Sequence, residues 1–144
     1  MTRAVALLSC FLGVLGCSEV SAPPSHVSRA VAMFMCGPAD GAATAIVLTH
    51  QPIGTIPTVY PNVSIAILRD VHQLAGGSFD INTDAGAWYW KGPNSAESAL
   101  AGRVTIDSVA SDLTVSGLAD LTFPSGQFVS AFSAEWQQSH VTCP

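Results

Sequence analysis

The residues of this chain able to do chemistry are few, and their spacing decides between catalysis, metal binding and plain structure. Asp80, Asn82 and Asp84 put oxygen-bearing side chains at alternate positions, as in the first half of a calcium loop. An EF-hand needs Gly at the sixth loop position and Glu at the twelfth, and here Ala85 and Lys91 stand there. The segment therefore reads as an Asx-type turn, with a calcium loop of another kind as the weaker alternative. His140, Cys143 and Cys36 offer three zinc ligands if the chain ends meet, where a structural zinc site uses four. Gly76-Gly77-Ser78-Phe79-Asp80 only begins like the Gly-x-Ser-x-Gly of a hydrolase elbow, so Ser78 reads as the start of a strand. Glu135 beside Trp136 is how carbohydrate sites are often built, but no second spaced carboxylate can be paired with it. His26, His50 and His72 lie in polar or Pro-flanked stretches without a paired-His spacing and read as solvated loop residues. No catalytic residue, metal or cofactor is assigned. Trp88 and Trp90 share one strand parity, which reads first as core; with Trp136 they are also the candidates for an exposed aromatic binding platform.

The elements that would carry these residues are strands. Arg29 to Cys36 alternates apolar residues on both parities, as in a strand covered on both faces. Thr44 to Thr49 is rich in β-branched residues, while Pro52, Pro57 and Pro61 confine Ile53 to Tyr60 to an edge or a loop. Val63, Ile65 and Ile67 share one face of a further strand. Ser78 to Ile81, the turn Asn82 to Gly86 and Ala87 to Trp90 predict a hairpin, and Lys91 to Gly102 a surface loop with one short helical turn at Ser95 to Ala101. The C-terminal third is the most regular. Gly102 to Val109, Leu113 to Phe123 and Phe128 to Trp136 alternate with period two, and Phe123-Pro124-Ser125-Gly126 has the turn preference that joins the last two. They predict three consecutive antiparallel strands, with a bend or bulge at Gly117. The fold class is all-β: an antiparallel, meander-rich β-sandwich, or else a small, partly closed barrel, preceded by a cleaved signal helix and a flexible tether.

The N-terminus places the domain. Met1-Thr2-Arg3 supplies one positive charge, and Ala4 to Leu15 is a run of mostly apolar residues; these are the n- and h-regions of a secretory signal. Ser18, Glu19, Ser21 and Pro23-Pro24 interrupt that run before the roughly 20 residues that a bilayer-spanning helix needs. The quartet Val14-Leu15-Gly16-Cys17 resembles the lipobox of bacterial lipoproteins, with Leu15 where Ala, Ser or Thr is commoner. The resemblance covers this stretch alone. It implies lipidation of the Cys17 thiol, cleavage before Cys17 and acylation of the new amino terminus; Cys10, inside the h-region, is discarded. Ser18 after the Cys, rather than Asp, points to the outer membrane over the inner one. The expected organisation is residues 1–16 as lipoprotein signal peptide, 17–28 as lipidated Cys and tether, and 29–144 as one β domain.

Loss of residues 1–16 from the 144 leaves 128, enough for one domain able to bury about two thirds of its unfolded-chain surface. The mature chain keeps four basic and all ten acidic residues, a formal charge of −6, which disfavours nucleic acid and anionic membrane surfaces as partners. Outside the cytoplasm Cys36 and Cys143 are expected to pair, clipping the first strand to the last. Function is the least legible layer. The leading expectation is a non-enzymatic envelope lipoprotein, anchored to the membrane through Cys17, whose β domain is a binding or structural module with an unidentified envelope or extracellular partner. The alternatives are a hydrolase of envelope glycan or lipid, or a carrier of an apolar ligand, the latter needing a barrel with an open interior.

Overall fold

The computed structural model describes residues 22–24, 26–51, 59–139, 141 and 143. The signal segment, Cys10, Cys17, residues 52–58 and His140 lie outside the described residues. Among the described residues nine strands follow in chain order: β1 (Arg29–Cys36), β2 (Ala42–Thr49), β3 (Asn62–Ile67), β4 (Ser78–Asp80), β5 (Ala85–Gly92), β6 (Ser95–Ser98), β7 (Ala101–Val109), β8 (Val115–Phe123) and β9 (Gly126–Gln137). They form one sheet in the order β4-β7-β8-β9-β1-β2-β3-β5-β6, curled into a half-barrel. The fold is all-β as expected, and of the two architectures anticipated it is the partly closed barrel. The C-terminal meander is present: β7 pairs with β8 and β8 with β9, both antiparallel.

One junction is not antiparallel. β1 lies parallel to β9, Val31 opposite Glu135 and Ala32 opposite Trp136, and this pair joins the two halves of the sheet. The parallel orientation brings the end of β1 and the chain leaving β9 to the same side. There Cys36 and Cys143 are disulfide-bonded with Cα atoms 5.5 Å apart, across a sequence separation of 107. The Ser139 hydroxyl donates to the Phe34 carbonyl at 2.8 Å beside them.

The curl arises where neighbouring residues bond to opposite halves. Ala99 N–H donates to the Ala87 carbonyl of β5, and Leu100 N–H, the next along the chain, donates to the Thr122 carbonyl of β8. The chain from β6 to β7 thus crosses from one end of the sheet to the other within two residues. The expected hairpin of β4 and β5 is absent for the same reason. β4 pairs with β7, while β5 pairs with β3 and β6. Between them the single bridge Ile81–Ala85 is parallel, so the turn leaves the chain direction unchanged instead of folding it back. The helical turn expected at Ser95 to Ala101 is also replaced: β6 forms a hairpin with β5, Trp88 opposite Ser98 and Trp90 opposite Ala96. Backbone pairing to an open strand outweighs the weak local preference of these small residues.

The concave side is filled. Ala32, Ile46, Ile65 and Ala87 form one cross-strand row, and Ala30, Leu48, Val63 and Tyr89 the next, all buried. Val104, Ile106, Leu121 and Phe128 face them from the other half, and the rings of Tyr89 and Phe123 meet at 6.0 Å between centroids. Gly117 is where the bend was expected: the β7–β8 register shifts just past Ile106, its partner. A Cβ there would stand 2.1 Å from the Thr105 carbonyl oxygen, a close approach only Gly permits.

Candidate binding groove

Strand parity settles where each candidate side chain goes. On β5, Ala85, Ala87 and Tyr89 face the core, so Gly86, Trp88 and Trp90 face outward. The register then aligns the outer positions of four strands. Met33, Ala45, Ala66 and Gly86 make one row, and Val47, Ser64 and Trp88 another. Asn62 and Trp90 lie in a third. Small residues therefore occupy the middle of this face and large ones its flanks. The result is a groove of about 390 Å³ with a floor of Ala45 and Ala66, Met33 and Met35 on one side, and Trp88, Trp90 and Pro93 on the other. The Trp88 ring folds back over Gly86: a Cβ at that glycine would stand 2.7 Å from the far edge of the indole.

The described lining is mostly apolar, its polar side chains besides the two indoles being Tyr60, Asn62 and Ser64. Among the described lining residues none is Asp, Glu, His, Lys or Arg. Asn62 is buried, its amide donating to the Val59 carbonyl at 2.6 Å and its oxygen accepting from the Ser64 hydroxyl at 2.9 Å. The outer face of the other half-sheet differs. Arg103, Thr105 and Asp107 on β7, Ser116, Asp120 and Thr122 on β8, and Gln127, Ser133 and Glu135 on β9 make it polar, interrupted by exposed Leu118 and Val129. The groove itself is built on β1, β2, β3 and β5.

The other sequence candidates are placed elsewhere. Trp136 lies on the core-facing parity of β9 and packs, partly buried, against the hydrophobic cluster, which removes it from any exposed platform. Asp80, Asn82 and Asp84 each have a partner outside the trio. Asp80 accepts from the Arg103 Nε at 2.7 Å, Asp84 faces Arg69 at 3.9 Å, and the Asn82 amide donates to the Leu100 carbonyl. Among the described residues no three His, Cys, Asp or Glu side chains converge. Cys36 and Cys143 are bonded to each other and so do not offer zinc ligands. Ser78 and Glu135 are exposed on β4 and β9.

A second cluster sits where the curled sheet nears itself. Glu97 of β6 pairs with Lys91 of β5 and accepts from the Ser125 N–H, in the β8–β9 turn, at 2.9 Å. Burial raises the Glu97 pKa, but hydrogen bonds from Lys91 and Ser125 and the Lys91 charge outweigh it and hold the carboxyl below its ordinary value. Tyr89 reaches the same end, with the Lys91 ammonium 5.8 Å from its ring centroid. Its hydroxyl donates to the Ala22 carbonyl at 3.0 Å, and Pro23 is buried. The stretch assigned to the tether thus packs on the domain at Ala22 and Pro23.

Sequence reasoning named Trp88 and Trp90 but not Met33, Met35, Ala45 and Ala66. The available signal was a run of small residues, Ser64, Ala66 and Gly86, on the parity opposite the apolar core positions. No protein-family model, curated protein or solved structure matches this chain.

Proposed function

We propose that this protein is a lipid-anchored component of the bacterial envelope whose β domain is a non-enzymatic binding module, with the outer-face groove as its binding site. The observation that carries the binding reading is the groove itself. It is a walled cleft, uncharged in its described lining, on the convex side of a sheet whose remaining outer face is largely polar, and a contiguous apolar recess of this kind is the default place for a ligand. Among the described residues the concave side is lined by buried apolar side chains from both halves, and the apolar recess described above lies on the outer face.

The anchoring reading rests on the lipobox resemblance at Val14-Leu15-Gly16-Cys17. Four residues lie between Cys17 and Ala22, a span of at most about 18 Å from one to the other when extended, so a lipid on Cys17 would hold the domain close to the bilayer. Globomycin treatment is expected to accumulate the uncleaved precursor, and Cys17→Ser to abolish palmitate labelling; unchanged processing and labelling would remove the anchor. For the groove, the Cys17→Ser chain is melted with and without an apolar extract of the envelope. A higher melting temperature is expected, and loss of that rise in Ala45→Leu, which fills the floor. No rise, or the same rise in the filled variant, would refute the assignment.

A further inference from the structure

We infer that the groove takes the unbranched hydrocarbon of an acyl chain. The inference rests on the groove being the binding site, and it names the ligand class. Three features select this chemistry. First, the described lining holds no charged group, Asn62 is bonded to backbone and to Ser64, and Tyr60 is the one further polar side chain there besides the two indoles, so a sugar or a charged ligand would lose more hydrogen bonds to water than the site returns. Second, the shape is a trough: the Ala45 and Ala66 floor lets a narrow chain lie against the sheet while the walls cover its flanks. Met33 and Met35 form one wall with flexible thioethers that adapt to a mobile chain; Trp88 and Trp90 supply flat aromatic surface on the other. Third, the volume of about 390 Å³ lies at the lower end of the ~300–1,000 Å³ typical of small-molecule clefts.

A bilayer surface fits less well. Peripheral membrane binding uses protruding apolar side chains flanked by basic ones, whereas this apolar surface is recessed and the chain carries a formal charge of −5. A second copy of the chain would favour a flat face over a walled trough.

The positions of the three tryptophans provide the test. Trp88 and Trp90 wall the groove and Trp136 packs on the core, so a bromine-labelled acyl chain in the groove quenches the first two and spares the third. The Cys17→Ser chain is titrated with dibrominated stearate below its micelle concentration and, separately, with vesicles of brominated phosphatidylcholine. Saturable quenching by the free acid is expected, unchanged in amplitude in Trp136→Phe and shifted roughly tenfold or more to higher concentration in Ala45→Leu and Ala66→Leu. Circular dichroism and melting curves confirm that these variants fold. Quenching only by vesicles would assign the face to a membrane surface and overturn the inference. So would concentration-dependent dimerisation that the floor-filling variants abolish, with no quenching by the acid. If the acid fails to quench while the envelope extract still raises the melting temperature in a groove-dependent manner, the acyl assignment falls and the binding-module reading stands.

Discussion

Glu97 shows how much one side chain does at the point where the half-barrel nears closure. It bridges β6 to Lys91 on β5 and to the β8–β9 turn at Ser125, so its loss unties three segments at once. Glu97→Gln is expected to lower stability by about 1–3 kcal/mol, the range for a charged hydrogen bond that is largely withdrawn from water. The pH dependence has a definite sign. The folded-state pKa lies below the ordinary value of 4.5, so the contribution is complete above that value and is lost as pH falls through the lower, folded one. Melting curves of wild type and Glu97→Gln should stay separated from neutral pH down to about that point and converge below it. A separation that persists unchanged in stronger acid would contradict the ion-pair account. Gly86 acts differently, because the Trp88 ring occupies the space a Cβ would take. Gly86→Ala is expected to displace the ring, changing the tryptophan emission while stability moves by less than about 1 kcal/mol, since the obstructing atom is the free end of a side chain. Unaltered emission would show that the ring does not lie there.

At the scale of elements, what the sequence made legible was parity. Val63, Ile65 and Ile67, and the alternations in β7, β8 and β9, follow directly from which residues avoid water. Pairing partners were less legible, because a strand's alternation says which face is buried and nothing about which neighbour it meets. That is why β4 and β5 were expected to form a hairpin, and why the parallel β1–β9 junction was not foreseen. The groove was hidden for the same reason: Met33, Ala45, Ala66 and Gly86 come from four strands and become one row only through register. Trp88 and Trp90 were visible as a pair, but their side of the sheet depended on Tyr89 being the one that faces the core. Gly117 was legible from its type alone, and it supports a sharp contrast. Gly117→Ala drives a Cβ into the rigid Thr105 carbonyl and should cost about 1–3 kcal/mol in urea denaturation. Gly92→Ala meets nothing within 4 Å and should be near neutral. Equal effects would mean that the β7–β8 bulge is not placed as described.

The whole molecule is a sheet whose first and last strands are fastened side by side. The parallel β1–β9 pair and the Cys36–Cys143 bond hold the two half-sheets together at their seam. Opening that bond frees a loop of more than a hundred residues in the unfolded state, which should cost about 2–5 kcal/mol. Melting with and without reductant measures it; identical curves would contradict the bond's structural role. The short strands β4 and β6 at the ends of the sheet limit the open edge on which another chain could pair. In the proposed reading location and binding join: a lipid anchor at Cys17, a chain that docks on Tyr89 at Ala22, and on the outside of the neighbouring strands a groove with no charge in its described lining. Native mass spectrometry of the processed protein, released from its own envelope in mild detergent, tests that reading most directly. The account predicts one apolar small molecule retained per chain, present in wild type and missing from Ala45→Leu. Bare protein in both, or the same adduct in both, would contradict it.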